Sequence, residues 1–188
     1  MRANSFTCGF ISNCFVLPES YLPALNLGLL SSVKTACTRA RIALTTPHHT
    51  STAHTIVFHS VRTFRMAACY FPQEGITLES HKEVEMELLP YLGEVLREVK
   101  EEDCVQMSIM ALTNVAGHGL CVQEMDEMGI FDELEKIASA ENCSGMLFHA
   151  CLRFAEGLIH YDEEAAMGSF KINLFLDKIA EKASRNIL

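Results

Sequence analysis

Tryptophan is absent from this 188-residue chain, and so is any long apolar run. A helix that spans a bilayer needs roughly eighteen or more consecutive apolar residues, and no window here approaches that, so no membrane-spanning helix is predicted. No C-x-x-C pair occurs among Cys8, Cys14, Cys37, Cys69, Cys104, Cys121, Cys143 and Cys151. A disulfide framework is therefore not expected, and the cysteines of the second half fall at apolar helical positions, as buried thiols of a reducing compartment do. The chain has no G-x-S-x-G, P-loop or H-E-x-x-H motif, which removes the commonest local signatures of hydrolases, nucleotide-binding enzymes and zinc proteases. Cations are scarce as well, 15 Lys and Arg against 24 Asp and Glu. Binding to phosphate backbones requires clustered Lys and Arg, so nucleic acid is not an expected partner.

What the chain does have is divided unequally. Residues 1–68 hold six basic residues and a single acid, Glu19, whereas residues 69–188 hold nine basic and 23 acidic residues. The first stretch also carries 16 Ser and Thr, three of the five prolines, and His48, His49, His54 and His59. Such composition predicts a largely irregular N-terminal segment, residues 1–68, ahead of a helical domain of residues 69–188. A mitochondrial or plastid transit peptide would have the same Arg-bearing, acid-poor character. A stretch that is no folded module, ending where Met66-Ala67-Ala68 resembles a natural start, remains the other reading; a secretory signal is disfavoured because Pro18, Glu19 and Pro23 break the apolar run. The four histidines lack the ligand spacing and the helix that a zinc site uses, so no metal and no cofactor is expected.

From residue 78 the pattern is helical. Ser80 and Glu83 form an S-x-x-E capping box ahead of residues 84–89, and Pro90 suits the first turn of a second helix, 90–100. Asp103 is placed to cap a helix over 104–116, broken by Gly117-His118-Gly119. Further helices are predicted over 121–127, 130–138, 144–160, 163–167 and 170–183. Val105, Ile109, Leu112 and Ala116 recur 43 residues later as Phe148, Leu152, Ala155 and Ile159, all apolar. At the same offset Gln106, Met110, Thr113 and Gly117 are matched by His149, Arg153, Glu156 and His160, one mostly polar stripe on each helix. Ile130, Leu134 and Ile137 likewise recur after 42 residues as Ile172, Leu176 and Ile179. A period of 41 to 43 residues predicts an all-α fold, an armadillo/HEAT-like α-solenoid of about two to three repeats, whose units bury their apolar faces only by stacking. Neither end carries a clear polar capping repeat, which suggests a piece of a longer solenoid.

The runs Val95-Leu96-Arg97-Glu98-Val99-Lys100-Glu101-Glu102-Asp103, Ala111-Leu112-Thr113-Asn114-Val115-Ala116-Gly117-His118-Gly119 and Met128-Gly129-Ile130-Phe131-Asp132-Glu133-Leu134 give residues 70–185 a layout that resembles the 26S proteasome non-ATPase regulatory subunit 5 family. The resemblance implies an armadillo/HEAT-type assembly chaperone that holds a proteasomal ATPase subunit in the cytoplasm, and in the nucleus as well, without catalytic activity. A different armadillo-type adaptor, for transport or adhesion, would use the same repeats. In either case the expected partner-binding surface comprises Gln106, Met110, Thr113, Asn114, His149, Arg153, Glu156 and His160. Asn114 stands where many armadillo repeats hold a peptide backbone, but Gly157 occupies the matching position of the next unit. The acids Glu124, Asp126, Glu127, Asp132, Glu133 and Glu135 offer a second feature, a negative patch around one turn.

Overall fold

A computed structural model describes residues 2–44, 50–69, 77–117, 119, 121–161 and 170–186. His48, His49, His118 and the helix predicted over 163–167 lie outside them. Helices account for almost all of the described residues, with no strand among them: α1 (Arg2–Cys14), α2 (Pro18–Asn26), α3 (Leu29–Leu44), α4 (Thr50–Ala67), α5 (Leu78–Glu98), α6 (Glu102–Ala116), α7 (Val122–Glu127), α8 (Ile130–Ser139), α9 (Gly145–Tyr161) and α10 (Phe170–Asn186). They stack in two rows. In one, α1 touches α4, α4 touches α6 and α6 touches α9; in the other, α3 touches α5, α5 touches α8 and α8 touches α10.

The all-α expectation therefore holds, but the expectation of an irregular segment over residues 1–68 does not. Four helices occupy that stretch, and their buried residues form one core with the rest, from Ile11 and Tyr21 through Phe64 and Leu92 to Ile179. The Ser and Thr content that suggested irregular chain is accommodated inside the helices. Thr35, Thr38, Thr55, Ser60 and Thr63 each donate their hydroxyl to the backbone carbonyl four residues earlier, at 2.7 to 3.1 Å, so these five hydroxyls are satisfied within their own helices. The charge imbalance is resolved between helices. Arg41 of α3 meets Glu94, at 2.7 Å, and Glu98 of α5; Lys34 meets Glu87; His54 of α4 meets Asp103 of α6 at 2.9 Å.

A repeat also crosses residue 68. Both short helices, α2 and α7, end at a glycine in the left-handed region, Gly28 at φ 68° and Gly129 at φ 69°, from which the next helix starts. Their hydrogen bonds correspond one for one. Leu27 and Met128 donate to the carbonyls of Pro23 and Glu124, Gly28 and Gly129 to those of Leu25 and Asp126, and Gly28 and Gly129 accept from Ser32 and Glu133. Only glycine enters that conformation without steric cost. The order of a short helix, this corner and two further helices thus appears as α2–α3–α4 and again as α7–α8–α9.

Several boundaries shift from those expected. Thr77, not Ser80, caps α5; its Oγ1 accepts from the Ser80 N–H at 3.1 Å while Ser80 Oγ accepts from the Thr77 N–H at 3.0 Å. Pro90 lies within a single helix where two were predicted. An interior proline costs about 3 kcal/mol, but Leu88, Leu89, Leu92, Val95 and Leu96 are all buried around it, each worth roughly 1.5–3 kcal/mol, so burial prevails. Asp103 sits in the first turn of α6 and accepts from the Cys104 N–H at 2.8 Å, while the capping position, Glu101, makes no side-chain cap. The buried face of α9 is rotated from the expected one: Cys151, Phe154, Ala155 and Leu158 are buried, whereas Ile159 is 51% exposed. In α6 the equivalents Ser108, Ala111, Leu112 and Val115 are buried along with Val105, Ile109 and Ala116, because α4, α5 and α9 enclose that helix on three sides. No described helix is long and apolar enough to cross a membrane.

Candidate protein-binding groove

The row α4–α6–α9 forms a groove of about 230 Å³, lined by Arg65 from α4, Gln106, Met110, Thr113 and Asn114 from α6, and His149, Ala150 and Arg153 from α9. Six of the eight residues expected to form a binding surface, Gln106, Met110, Thr113, Asn114, His149 and Arg153, therefore meet at one place. Glu156 and His160 continue along the exposed side of α9 without lining the groove. Glu156 lies 3.5 Å from Arg153, with 56% and 68% of their side chains exposed; a pair this wet contributes little to stability.

The groove is built on ties between helices. Asn114 Nδ2 donates to the Arg65 carbonyl at 3.0 Å and to Cys69 Sγ at 3.1 Å, satisfying one of the carbonyls that the last turn of α4 leaves open. Both amide hydrogens are thereby committed, and Asn114 has only Oδ1 to offer a partner. Thr113 Oγ1 donates to the Ile109 carbonyl. At Gly157, facing Thr113, an added Cβ would lie 3.5 Å from the threonine methyl, ordinary contact, so steric need does not explain glycine there. Ser144 accepts the Leu147 N–H at 3.2 Å, capping α9, and its hydroxyl bonds Glu102 at the start of α6. Arg65 was missed by sequence reasoning because it belongs to the stretch taken as irregular.

Other clusters have different character. The acids around α7 are largely engaged within the chain: Glu124 with Lys82 at 3.0 Å, Asp132 and Asp126 with Lys171 at 3.1 and 3.7 Å, Glu133 with Lys136 at 3.0 Å, and Glu127 with the Gln123 amide. Of the methionines, Met125 is buried, Met107 and Met110 are half-buried, and Met128 and Met146 are exposed. His54 and His59 lie on a helix after all, α4. His54 Nε2, Asp103 and the Cys104 thiol come together within 4.8 Å, a set that could hold a divalent metal. In the cluster His54 Nε2 lies 2.9 Å from Asp103: burial alone would raise the Asp103 pKa, but His54 and the Cys104 hydrogen bonds together outweigh it and hold the carboxyl below its ordinary value. Cys151 is fully buried and its thiol is pushed up to about 12 by burial, while His149 faces solvent. They form no nucleophile and base pair.

A buried polar network joins the N-terminal helices to α5. Tyr21 donates to the Ala67 carbonyl at 2.7 Å and lies 3.3 Å from His81 Nδ1; His81 Nε2 is 3.3 Å from Glu85, both side chains fully buried; the Cys121 thiol donates to Glu85 at 3.6 Å. Burial first, then the Glu85 charge, raises the Tyr21 pKa above its ordinary value and pushes the Cys121 thiol up to about 12. Cys104 is raised mainly by burial too. A group whose pKa is higher in the fold than in the unfolded chain gives stability that is intact below its unfolded pKa and is lost as pH climbs towards the folded value. The urea midpoint should therefore fall steadily from about pH 9, the ordinary thiol value, towards pH 12. A midpoint that is flat between pH 8 and 11 would contradict this picture.

Comparisons with protein-family models, curated proteins and solved structures give no match. The fold and groove define a class, an all-α protein of stacked helices with a surface cleft shared by three of them.

Proposed function

We propose that the chain is a protein-binding helical-repeat scaffold of the armadillo/HEAT type, non-enzymatic and cytoplasmic, which holds an ATPase subunit during assembly of the base of the proteasome regulatory particle. The observation that carries the scaffold reading is the convergence of two sequence stripes, 43 residues apart, on one groove. Stacked repeats bind by presenting equivalent helices side by side, and α4, α6 and α9 are so arranged. The choice of partner rests on the sequence resemblance of residues 70–185 to the proteasome subunit 5 family.

Affinity capture with the full chain from cytosol should recover proteasomal ATPase subunits without the proteolytic core. Arg153→Glu should weaken that capture about tenfold, roughly 1.4 kcal/mol, and leave helicity by circular dichroism unchanged, since the side chain is largely in water. Recovery of transport cargo or adhesion-receptor tails in place of ATPase subunits would overturn the assembly role.

A further inference from the structure

The chain is strongly acidic, yet no residue lining the groove is an acid; two are arginines and one is a histidine. Arg65 is half-buried, and among the described residues no carboxylate pairs with it; its guanidinium donates only to the Met107 thioether, at 3.8 Å. This contrasts with Arg41, which meets two glutamates, and with Lys34, Lys82, Lys136 and Lys171, each of which has an acid within reach. Across the groove Arg153 holds only the solvent-washed Glu156, an exchangeable partner. A guanidinium presents a planar fork of donors that matches a carboxylate. The remaining lining is suited to the rest of a peptide: Gln106 and Asn114 carry amide carbonyls that can accept backbone N–H groups, and Met110 is an adaptable apolar floor. The volume, about 230 Å³, falls below the roughly 300–1,000 Å³ of small-molecule sites and suits one or two side chains of a longer ligand.

We propose that the groove selects an acidic segment of the partner protein, seating an Asp or Glu side chain between Arg65 and Arg153. This rests on the scaffold reading above and adds the chemistry of what is bound. The surrounding acids oppose the approach of an acidic segment, so the selection rests on close contact with the two arginines. Specificity therefore sits in the groove and not in long-range steering.

The test uses fluorescence polarisation of the full chain with fluorescein-labelled ten-residue peptides, acetylated and amidated at their ends. In one, aspartates alternate with serines; in the second, asparagines replace the aspartates; in the third, lysines do. A fourth keeps the asparagine sequence with a free C-terminal carboxylate. The aspartate peptide should bind at least about tenfold more tightly than the other three, and raising salt from about 50 to 500 mM should weaken it, as for a charge contact. Arg65→Gln and Arg153→Gln should each weaken it about tenfold; Arg153 is exposed, so its replacement keeps the fold even if that of Arg65 does not. Equal binding of the asparagine or lysine peptides would overturn acid selection and leave the scaffold reading standing. Preference for the free C-terminus would likewise overturn it, as would retention of full affinity by Arg153→Gln. Absence of binding to every peptide would also overturn it, with the capture experiment reporting separately on the scaffold.

Discussion

A chain shortened to residues 69–188 should lose cooperative unfolding. Without α4 the side of α6 that carries Asp103, Met107 and Asn114 loses the helix it is tied to, and α5 loses α3. The deleted part supplies Ala53, Ile56, Val57, Val61, Phe64 and Ala67 to the common core from α4 alone. At roughly 1.5–3 kcal/mol for each large apolar side chain, the four large ones already rival the whole stability of a typical domain, about 5–15 kcal/mol. Polar losses add to this: His81 loses Tyr21, Asp103 loses His54, and Glu94 and Glu98 lose Arg41. The expected result is helicity by circular dichroism that melts over a broad range, with strong binding of a hydrophobic dye. A sharp transition within a few degrees of the full chain would show that the second half folds alone and that the shared core is incidental.

The second large effect lies at the other end. Phe131 of α8, Phe154 of α9 and Phe175 of α10 are fully buried with ring centroids 5.7 to 6.5 Å apart, in tilted and edge-on contact. Together they fasten the last two helices to the stack. Phe154→Ala should cost about 3–5 kcal/mol, because it removes the ring and leaves a cavity between two others that cannot close without moving a helix. The urea midpoint should drop accordingly. Ile159→Ala, five residues further along α9 but on its exposed side, should change stability by no more than about 0.5 kcal/mol. Equal losses at the two positions would mean that the face of α9 is not rotated as described.

The residues that made the groove legible were those with period. A 43-residue repeat fixed which faces of α6 and α9 look the same way, so five groove residues could be named from spacing, and Asn114 from its place in the armadillo pattern. The face of α9 came out partly wrong because α9 packs closely on α6 but only lightly on α8 and α10, and an apolar residue such as Ile159 can then stay outside. The first four helices were hidden by composition. Their apolar spacing is present, for example Leu30, Val33, Cys37 and Ala40, but Ser and Thr weigh towards turns until their hydroxyls are seen bonding back along the helix. The longer unit α2–α4 also falls outside a 41 to 43-residue search, so the matching corners at Gly28 and Gly129 went unread. His81 and Glu85, one turn apart on α5, resemble an ordinary surface pair in sequence; only the approach of Tyr21 from a distant helix makes them core.

The opposite charges that meet between α3 and α5 have a consequence for the unfolded chain. They are segregated along the sequence, a basic block followed by an acidic one, and they do not vanish when the helices melt. Unlike blocks joined in one chain attract each other, so the denatured ensemble is more compact at low salt than a chain with the same charges evenly mixed. At 0.1 M salt the screening length is about 10 Å, and that attraction shrinks. Added salt thus acts on both sides of the folding equilibrium, loosening the native seam and releasing the unfolded chain to expand.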